Sequence, residues 1–327
     1  MFLINAFPCL LGLSYGSFVG SYIIRFPRMI DSESGVTIYS PRSRCETCGK
    51  NLKYYMLIPL LSFLLQRGKC TFCKKSISPF YFCNEILHLL LMALIVWSNL
   101  FPTLIESILF FLVVSSLYAQ FIIDFKHLSL SVYLSIQVLI LGLILNSGQG
   151  LFTDLQSSLI GVLVGYFSLY LINKIYFLLR KKEGIGGGDF ILLASIGALL
   201  GYQMLSFVIL LGSLLSLQIY VFKRSDYKGR VPFGSGLALS ALLIIAIQIF
   251  YSWKPNPFRE RVNRVLEYLN HYRGCRYRNL ALLNLDIKTI AFILGTFLFC
   301  SSHAKANEGA RLSYEYKVMQ DDWSFLP

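Results

Sequence analysis

The chain consists of long apolar blocks separated by short polar or basic segments. The blocks are about 17 to 25 residues long, the length of α-helix needed to cross roughly 30 Å of hydrocarbon. A soluble core would interrupt them with polar residues at shorter intervals. We therefore expect an all-α polytopic membrane protein with about eight transmembrane helices. The apolar pattern predicts helices at about 2–24, 80–98, 104–123, 131–147, 155–179, 189–200, 204–222 and 233–252.

Composition and charge agree with this fold class. Of 327 residues, 55% are hydrophobic and 14% are charged, and the mean hydropathy is +0.60. A net charge of +13 would also suit a nucleic-acid-binding protein, but here the cations lie in loops between apolar blocks. We expect contact with membrane lipid and no nucleic-acid partner.

The distribution of Lys and Arg predicts the orientation of the chain. Segment 25–79 has ten basic residues and three acids, so the positive-inside rule places it in the cytoplasm. Later basic clusters at 180–182 and 223–230 fall on the same side, which puts the N-terminus outside. The ten basic residues are Arg25, Arg28, Arg42, Arg44, Lys50, Lys53, Arg67, Lys69, Lys74 and Lys75.

Segment 25–79 also contains two close cysteine pairs. Cys45 and Cys48 are separated by two residues, as are Cys70 and Cys73, and this spacing is typical of a zinc ribbon. Four thiolates would complete a tetrahedral shell, so the zinc would be structural. Two disulfides are the alternative, but they rarely persist in a reducing cytoplasm.

Three acidic residues at the predicted membrane edges are candidates for chemistry, because buried carboxylates there are costly. Asp124 follows an apolar run, and Asp189 follows Gly186-Gly187-Gly188. Two adjacent carboxylates share a proton and can serve as base and acid in aspartyl protease chemistry. Gly186 and Gly188 would leave room for an extended substrate. Alternatively, Asp189 is only an N-cap and Asp124 pairs with Lys126. Glu85 is the weaker third candidate, since it could instead snorkel or pair with Arg25.

Several motifs together resemble those of the bacterial type IV prepilin peptidases, which are GxGD aspartyl proteases. The likeness covers about residues 1–252 and includes an aspartate six residues before Leu130. The matching motifs are Gly16-Ser17-Phe18, Ser43-x-Cys45-x-x-Cys48, Ile58-Pro59-Leu60-Leu61-Ser62-Phe63, Arg67-Gly68-Lys69-Cys70-x-x-Cys73, Gly186-x-Gly188-Asp189 and Val231-Pro232-Phe233-Gly234.

The resemblance implies a bifunctional enzyme of the bacterial inner membrane. It would use Asp124 and Asp189 to cleave the basic leader from type IV prepilins or pseudopilins on the cytoplasmic side. It would then methylate the new N-terminus with S-adenosylmethionine. The family's usual asparagine, proline and lysine are replaced here by Gly20, Ser131 and Ile191. A non-catalytic zinc-ribbon protein and an aspartyl protease without methyltransferase activity are the alternatives.

The expected domains are a first helix (1–24), a zinc domain (25–79), a protease domain (80–252) and an atypical tail (253–327). The tail is rich in arginine where the topology predicts the outside, against the positive-inside rule. Lys288, an apolar stretch at 290–300 and Ala304-Lys305-Ala306 then follow in the order of a secretory signal peptide. A ninth span is the alternative, but about eleven apolar residues are short for one. We therefore expect this segment to derive from a neighbouring secreted protein, by fusion or read-through.

Overall fold

The computed structural model describes residues 2–30, 35–37, 40, 42–45, 47–148, 150–182, 184–222 and 230–253. The chain divides into two units, Met1–Lys254 and Pro255–Pro327. Apart from Trp253, the predicted tail lies outside the described residues, and so does its signal-peptide-like segment. The described residues form helices, with two isolated β-bridges in the cysteine segment. The helices are α1 (Phe2–Ile30), α2 (Leu61–Leu65), α3 (Pro79–Trp97), α4 (Leu104–His127), α5 (Val132–Ser147), α6 (Leu155–Arg180), α7 (Gly187–Leu200), α8 (Tyr202–Phe222) and α9 (Phe233–Trp253).

The predicted all-α membrane fold is confirmed, with eight apolar helices in the described part of the chain. Six of them, in α1, α3, α4, α6, α8 and α9, are long and apolar enough to cross a membrane. The helices α5 and α7 are shorter. With 14 residues, α7 is about 21 Å long at 1.5 Å per residue, which is less than the thickness of the hydrocarbon core.

Several helices extend past the ends predicted from hydropathy. α1 ends at Ile30, so Arg25 and Arg28 lie on a helix that also contains Pro27. α4 ends at His127, which places Asp124 inside its last turn. Hydropathy marks where apolar side chains stop, whereas a helix can continue into the polar membrane edge, where its backbone remains hydrogen-bonded.

Helix α7 lies at the centre of the bundle, between α5 and α6 and against α8 and α9. Nearly all of its side chains are buried. Its approach to α6 depends on glycine, because a Cβ added to Gly197 would lie within 3 Å of the Gly161 backbone. The same holds between α1 and α3, where a Cβ on Gly16 would be 2.7 Å from the Cβ of His88. Small residues thus allow close helix packing, as their four-residue spacing indicates.

Candidate functional site: a buried pair of aspartates and a four-cysteine cluster

The four predicted metal ligands come together in the structure. The Sγ atoms of Cys45, Cys48, Cys70 and Cys73 all lie within 4.8 Å of one another, and those of Cys45 and Cys73 are 3.9 Å apart. Thiolates about 2.3 Å from one tetrahedral ion would be separated by about 3.8 Å. The cluster therefore fits a zinc ion, and the four cysteines are free thiols, not disulfides.

The two halves of the cluster have matching backbone turns. In the first, Gly49 N–H donates to Cys45 O (2.9 Å) and Cys45 N–H donates to Lys50 O (3.0 Å). The second half repeats both bonds between residues 70, 74 and 75. The Cys48 backbone N–H, donating to the Cys45 sulfur, lowers the pKa of Cys45 to about 6. At Cys45 this favours the thiolate that a metal requires, whereas burial and hydrogen bonds with the neighbouring thiols raise the pKa of Cys73 to about 11.

Asp124 is held by the start of α9. Its Oδ2 accepts hydrogen bonds from the Ser235 backbone N–H (2.5 Å) and hydroxyl (2.7 Å). Ser235 lies in the first turn of α9, where backbone N–H groups have no partner within the helix and the helix dipole is positive. Lys126 does not engage the carboxylate in this way, since its Nζ lies 4.6 Å from the ring centroid of Phe80.

Asp189 is the third residue of α7 and is also buried. The N-cap of α7 is Gly186, so Asp189 does not cap the helix. Its Oδ1 is buried and has no hydrogen-bond partner among the described residues. Gly188, next to Asp189, and Gly234, next to the Ser235 partner of Asp124, both pack against Leu130. The structure thus brings together two acids that are 65 residues apart in sequence.

Leu130, in the turn after α4, packs against the residues next to both halves of this site. A Cβ added to Gly234 would lie 2.7 Å from Leu130 Cδ1, and one added to Gly188 would lie 3.0 Å from Leu130 Cβ. Leu130 therefore fills the space between the residues that directly precede Asp189 and Ser235. Gly188 and Gly234 therefore need to be glycine so that they can pack against Leu130. The sequence alone did not identify this role of Leu130.

Gly186 and Gly188 were predicted to leave room for substrate, but each has less free space beside it than Gly187. A Cβ on Gly186 would meet Asp189 Oδ2 at 3.3 Å, and Gly188 packs on Leu130. Gly187, between them, has nothing within 4 Å of its added Cβ. The free space in this loop is therefore beside Gly187.

A buried polar network supports the turn that carries Leu130. Gln120 Oε1 accepts from Ser131 N–H (2.9 Å), and Gln120 Nε2 donates to Ser131 O (2.6 Å) and Ser135 Oγ (2.8 Å). The Ser131 hydroxyl is hydrogen-bonded to Tyr22 OH (2.5 Å). Ser131 replaces the usual proline, whose ring nitrogen could not make the first of these bonds.

Glu85 lies apart from the aspartates, near the cysteine segment. It is buried, with 7% of its surface exposed, and its Oε2 accepts from Leu60 N–H (2.8 Å). The carboxylate is therefore held against the turn that precedes α2.

Comparison with known proteins agrees with these motifs. The sequence model described as the bacterial peptidase A24 N-terminal domain matches residues 10–99, and that of the type IV leader peptidase family matches residues 109–221. No solved structure matches the chain.

Characterised relatives align with most of the chain. A prepilin leader peptidase/N-methyltransferase of Stutzerimonas stutzeri is 35% identical over 251 residues, which is 70% of this chain and 86% of the relative. The proteins of the same name from Pseudomonas aeruginosa (33% identity, 72% and 88%) and Vibrio cholerae (30% identity, 72% and 93%) are also similar. With six helices of spanning length among the residues that the structure describes, the chain is a multi-pass inner-membrane protein.

Proposed function

Because this chain belongs to the type IV leader peptidase family, we propose that it is a membrane-embedded aspartyl endopeptidase. It removes the basic leader from type IV prepilins or pseudopilins and then methylates the new N-terminal amine with S-adenosylmethionine. The observation that carries the proposal is that two buried carboxylates, Asp124 and Asp189, lie at the same end of the helix bundle.

The surroundings of the two carboxylates suggest different roles. Asp124 accepts two hydrogen bonds from Ser235, which stabilise its negative charge. Asp189 Oδ1 is buried and has no hydrogen-bond donor among the described residues, so the shared proton is assigned to Asp189 in this proposal. Asp124 then takes a proton from water as the water oxygen attacks the scissile carbonyl carbon, and Asp189 donates its proton to the carbonyl oxygen. When this tetrahedral intermediate breaks down, Asp124 donates its proton to the amide nitrogen, one hydroxyl group returns a proton to Asp189, and the C–N bond breaks.

The substrate position follows from the charge pattern of the chain. The positive-inside rule places the basic ends of α1 and α6 in the cytoplasm, and the aspartates lie at that same end. The leader would therefore be cut at the cytoplasmic membrane edge. The open space beside Gly187 is where an extended segment could approach Asp189.

Zinc has a structural role in this proposal. The residues Cys45, Cys48, Cys70 and Cys73 would bind it and would fasten the two matching turns of the 25–79 domain together. No step of the cleavage uses the metal.

Methylation needs a donor and a free amine. The lone pair of the new N-terminal amine would form a bond to the donor's methyl carbon. The C–S electron pair would return to sulfur, leaving S-adenosylhomocysteine, and the amine would release a proton to solvent.

The test is to incubate the purified enzyme with a prepilin and weigh the products by mass spectrometry, with and without S-adenosylmethionine. We expect loss of the leader and then a gain of about 14 mass units per methyl group. Asp124→Asn and Asp189→Asn should each abolish cleavage, and the double variant should be little worse, because the pair acts as a unit. Asp154→Asn is the matched control, since Asn is also a good N-cap for α6. Near-normal cleavage by either single variant would refute the assignment.

A further inference from the structure

An exposed apolar surface lies between the two cysteine pairs, outside the membrane-spanning helices. Segment 54–65 belongs to none of the six helices of spanning length that the described residues contain. It nevertheless exposes seven large apolar or aromatic side chains, and Leu65 is 77% exposed. A patch of this size normally marks a site of interaction. The seven residues, which form the 54–65 surface, are Tyr54, Tyr55, Leu57, Ile58, Leu61, Leu64 and Leu65.

Helix α2, within this segment, has two different sides. On one side, Phe63 stacks on Phe82 of α3, with ring centroids 4.8 Å apart. On the other side, Leu61, Leu64 and Leu65 are all exposed. The helix therefore packs on α3 and leaves its most apolar side chains exposed among the described residues. This two-sided pattern is typical of a segment that lies in the membrane interface.

Two contacts fix the position of α2 along α3. Besides the Phe63–Phe82 stacking, Leu60 N–H donates to Glu85 Oε2 (2.8 Å). Phe82 and Glu85 are the fourth and seventh residues of α3, so they lie about 4.5 and 9 Å from its first residue at 1.5 Å per residue. With 19 residues, α3 is about 28 Å long, close to the thickness of the hydrocarbon core. The contacts therefore place α2 at the edge of the hydrocarbon, beside the first turns of a spanning helix.

The 54–65 surface is also next to a surface that faces lipid. Beyond Glu85, α3 exposes Leu87, Leu90 and Leu94, which lie on one side of the helix at spacings of three and four residues. Exposed leucines on a spanning helix meet acyl chains. The exposed leucines of α2 thus continue this apolar surface towards the membrane edge.

The charge around the 54–65 surface is positive. The stretch from Lys53 to Lys69 also contains Arg67, and it contains no Asp or Glu. Cations and tyrosines beside apolar side chains suit the headgroup region of a bilayer with anionic lipid. A prepilin with a basic leader would be a poorer partner, because these cations would repel the leader.

We propose that the 54–65 surface inserts into the bilayer interface, with Leu61, Leu64 and Leu65 among the acyl chains and the flanking cations at anionic headgroups. In the orientation given by the positive-inside rule, this is the cytoplasmic leaflet. Insertion would hold the four-cysteine cluster close to the membrane surface. The inference requires a multi-pass membrane protein but does not depend on the proposed chemistry.

The test is photolabelling of the full chain in vesicles of phosphatidylcholine and phosphatidylglycerol in equal amounts. A trace of phospholipid with a diazirine in its acyl chain provides the label. Trypsin cuts after Lys53 and Arg67, so peptide 54–67 contains the whole surface. Peptide 45–50 is the internal reference, because it comes from the same domain and has no large apolar residue. We expect at least about tenfold more label in 54–67 than in 45–50, and about threefold less in vesicles of phosphatidylcholine alone.

A double variant and a matched control examine the role of the exposed leucines. Leu64→Ser with Leu65→Ser should lower the labelling of 54–67 by about tenfold. Its unfolding midpoint and its prepilin cleavage in detergent should be retained, because both side chains are exposed. Ser62→Ala changes a partly buried residue of the same helix and should be labelled like the wild type.

The wild-type result alone can overturn the proposal, whatever the variants do. Equal labelling of the two peptides in both kinds of vesicle would show that the 54–65 surface does not enter the bilayer. Labelling of 54–67 that disappears when prepilin is added would show that the surface serves the substrate instead, and this would also overturn the proposal.

Discussion

The contact between Leu130 and Gly234 predicts that one added methyl group will impair both packing and catalysis. In Gly234→Ala, the new Cβ would lie 2.7, 2.8 and 2.9 Å from three Leu130 atoms. Movement of Leu130 is restricted, because this side chain also packs against Gly188. The start of α9 must then shift, and Ser235 moves with it.

The size of the effect follows from two contributions. Overpacking of this kind costs about 1–3 kcal/mol of stability. Hydrogen bonds to a charged group contribute about 1.5–3 kcal/mol, so even partial loss of the Ser235 bonds to Asp124 should slow cleavage by roughly 10- to 100-fold. Both quantities can be measured on purified protein, as the initial rate of prepilin cleavage and as the thermal unfolding midpoint in detergent.

A second substitution distinguishes this explanation from a non-specific loss of folding. Leu130→Ala removes the atoms that clash, so adding it to Gly234→Ala should restore part of the lost rate, and the two effects should not add. Gly187→Ala places the same methyl group in open space and should leave the unfolding midpoint unchanged or slightly higher. The reasoning is refuted if Gly234→Ala cleaves like the wild type, or if Leu130→Ala brings no recovery.

Three other predictions follow from the described contacts and from the tail. Cys70→Ser should reduce bound zinc from one ion per chain and lower the unfolding midpoint; metal analysis that finds no zinc in wild-type protein purified without chelator would contradict it. Ser131→Pro should destabilise the protein by about 1–3 kcal/mol, because it leaves the buried Gln120 oxygen unpartnered; an unchanged unfolding midpoint would count against this. Truncation after Trp253 should leave prepilin processing in cells intact if the tail derives from a neighbouring secreted protein, whereas a large loss at equal expression would show that the enzyme needs it.

Local features of the sequence were sufficient to predict most of the elements. Hydrophobic blocks identify the membrane helices, since the bilayer selects for apolar length whatever the neighbouring helices are. The cysteine pairs indicate a metal cluster because two intervening residues suit a metal-binding turn. Likewise, the four-residue spacing of small residues around Gly16 and Gly161 indicates close helix packing.

Other features depend on which distant residues meet, and only the tertiary structure shows them. Ser235 and Asp124 are 111 positions apart, and no local pattern marks a serine in an apolar helix as the partner of a carboxylate. The packing of Leu130 on Gly188 and Gly234 likewise arises where separate helices converge. Hydropathy and spacing describe one segment at a time, whereas the site is built from the ends of α4, α7 and α9, whose arrangement is set by packing.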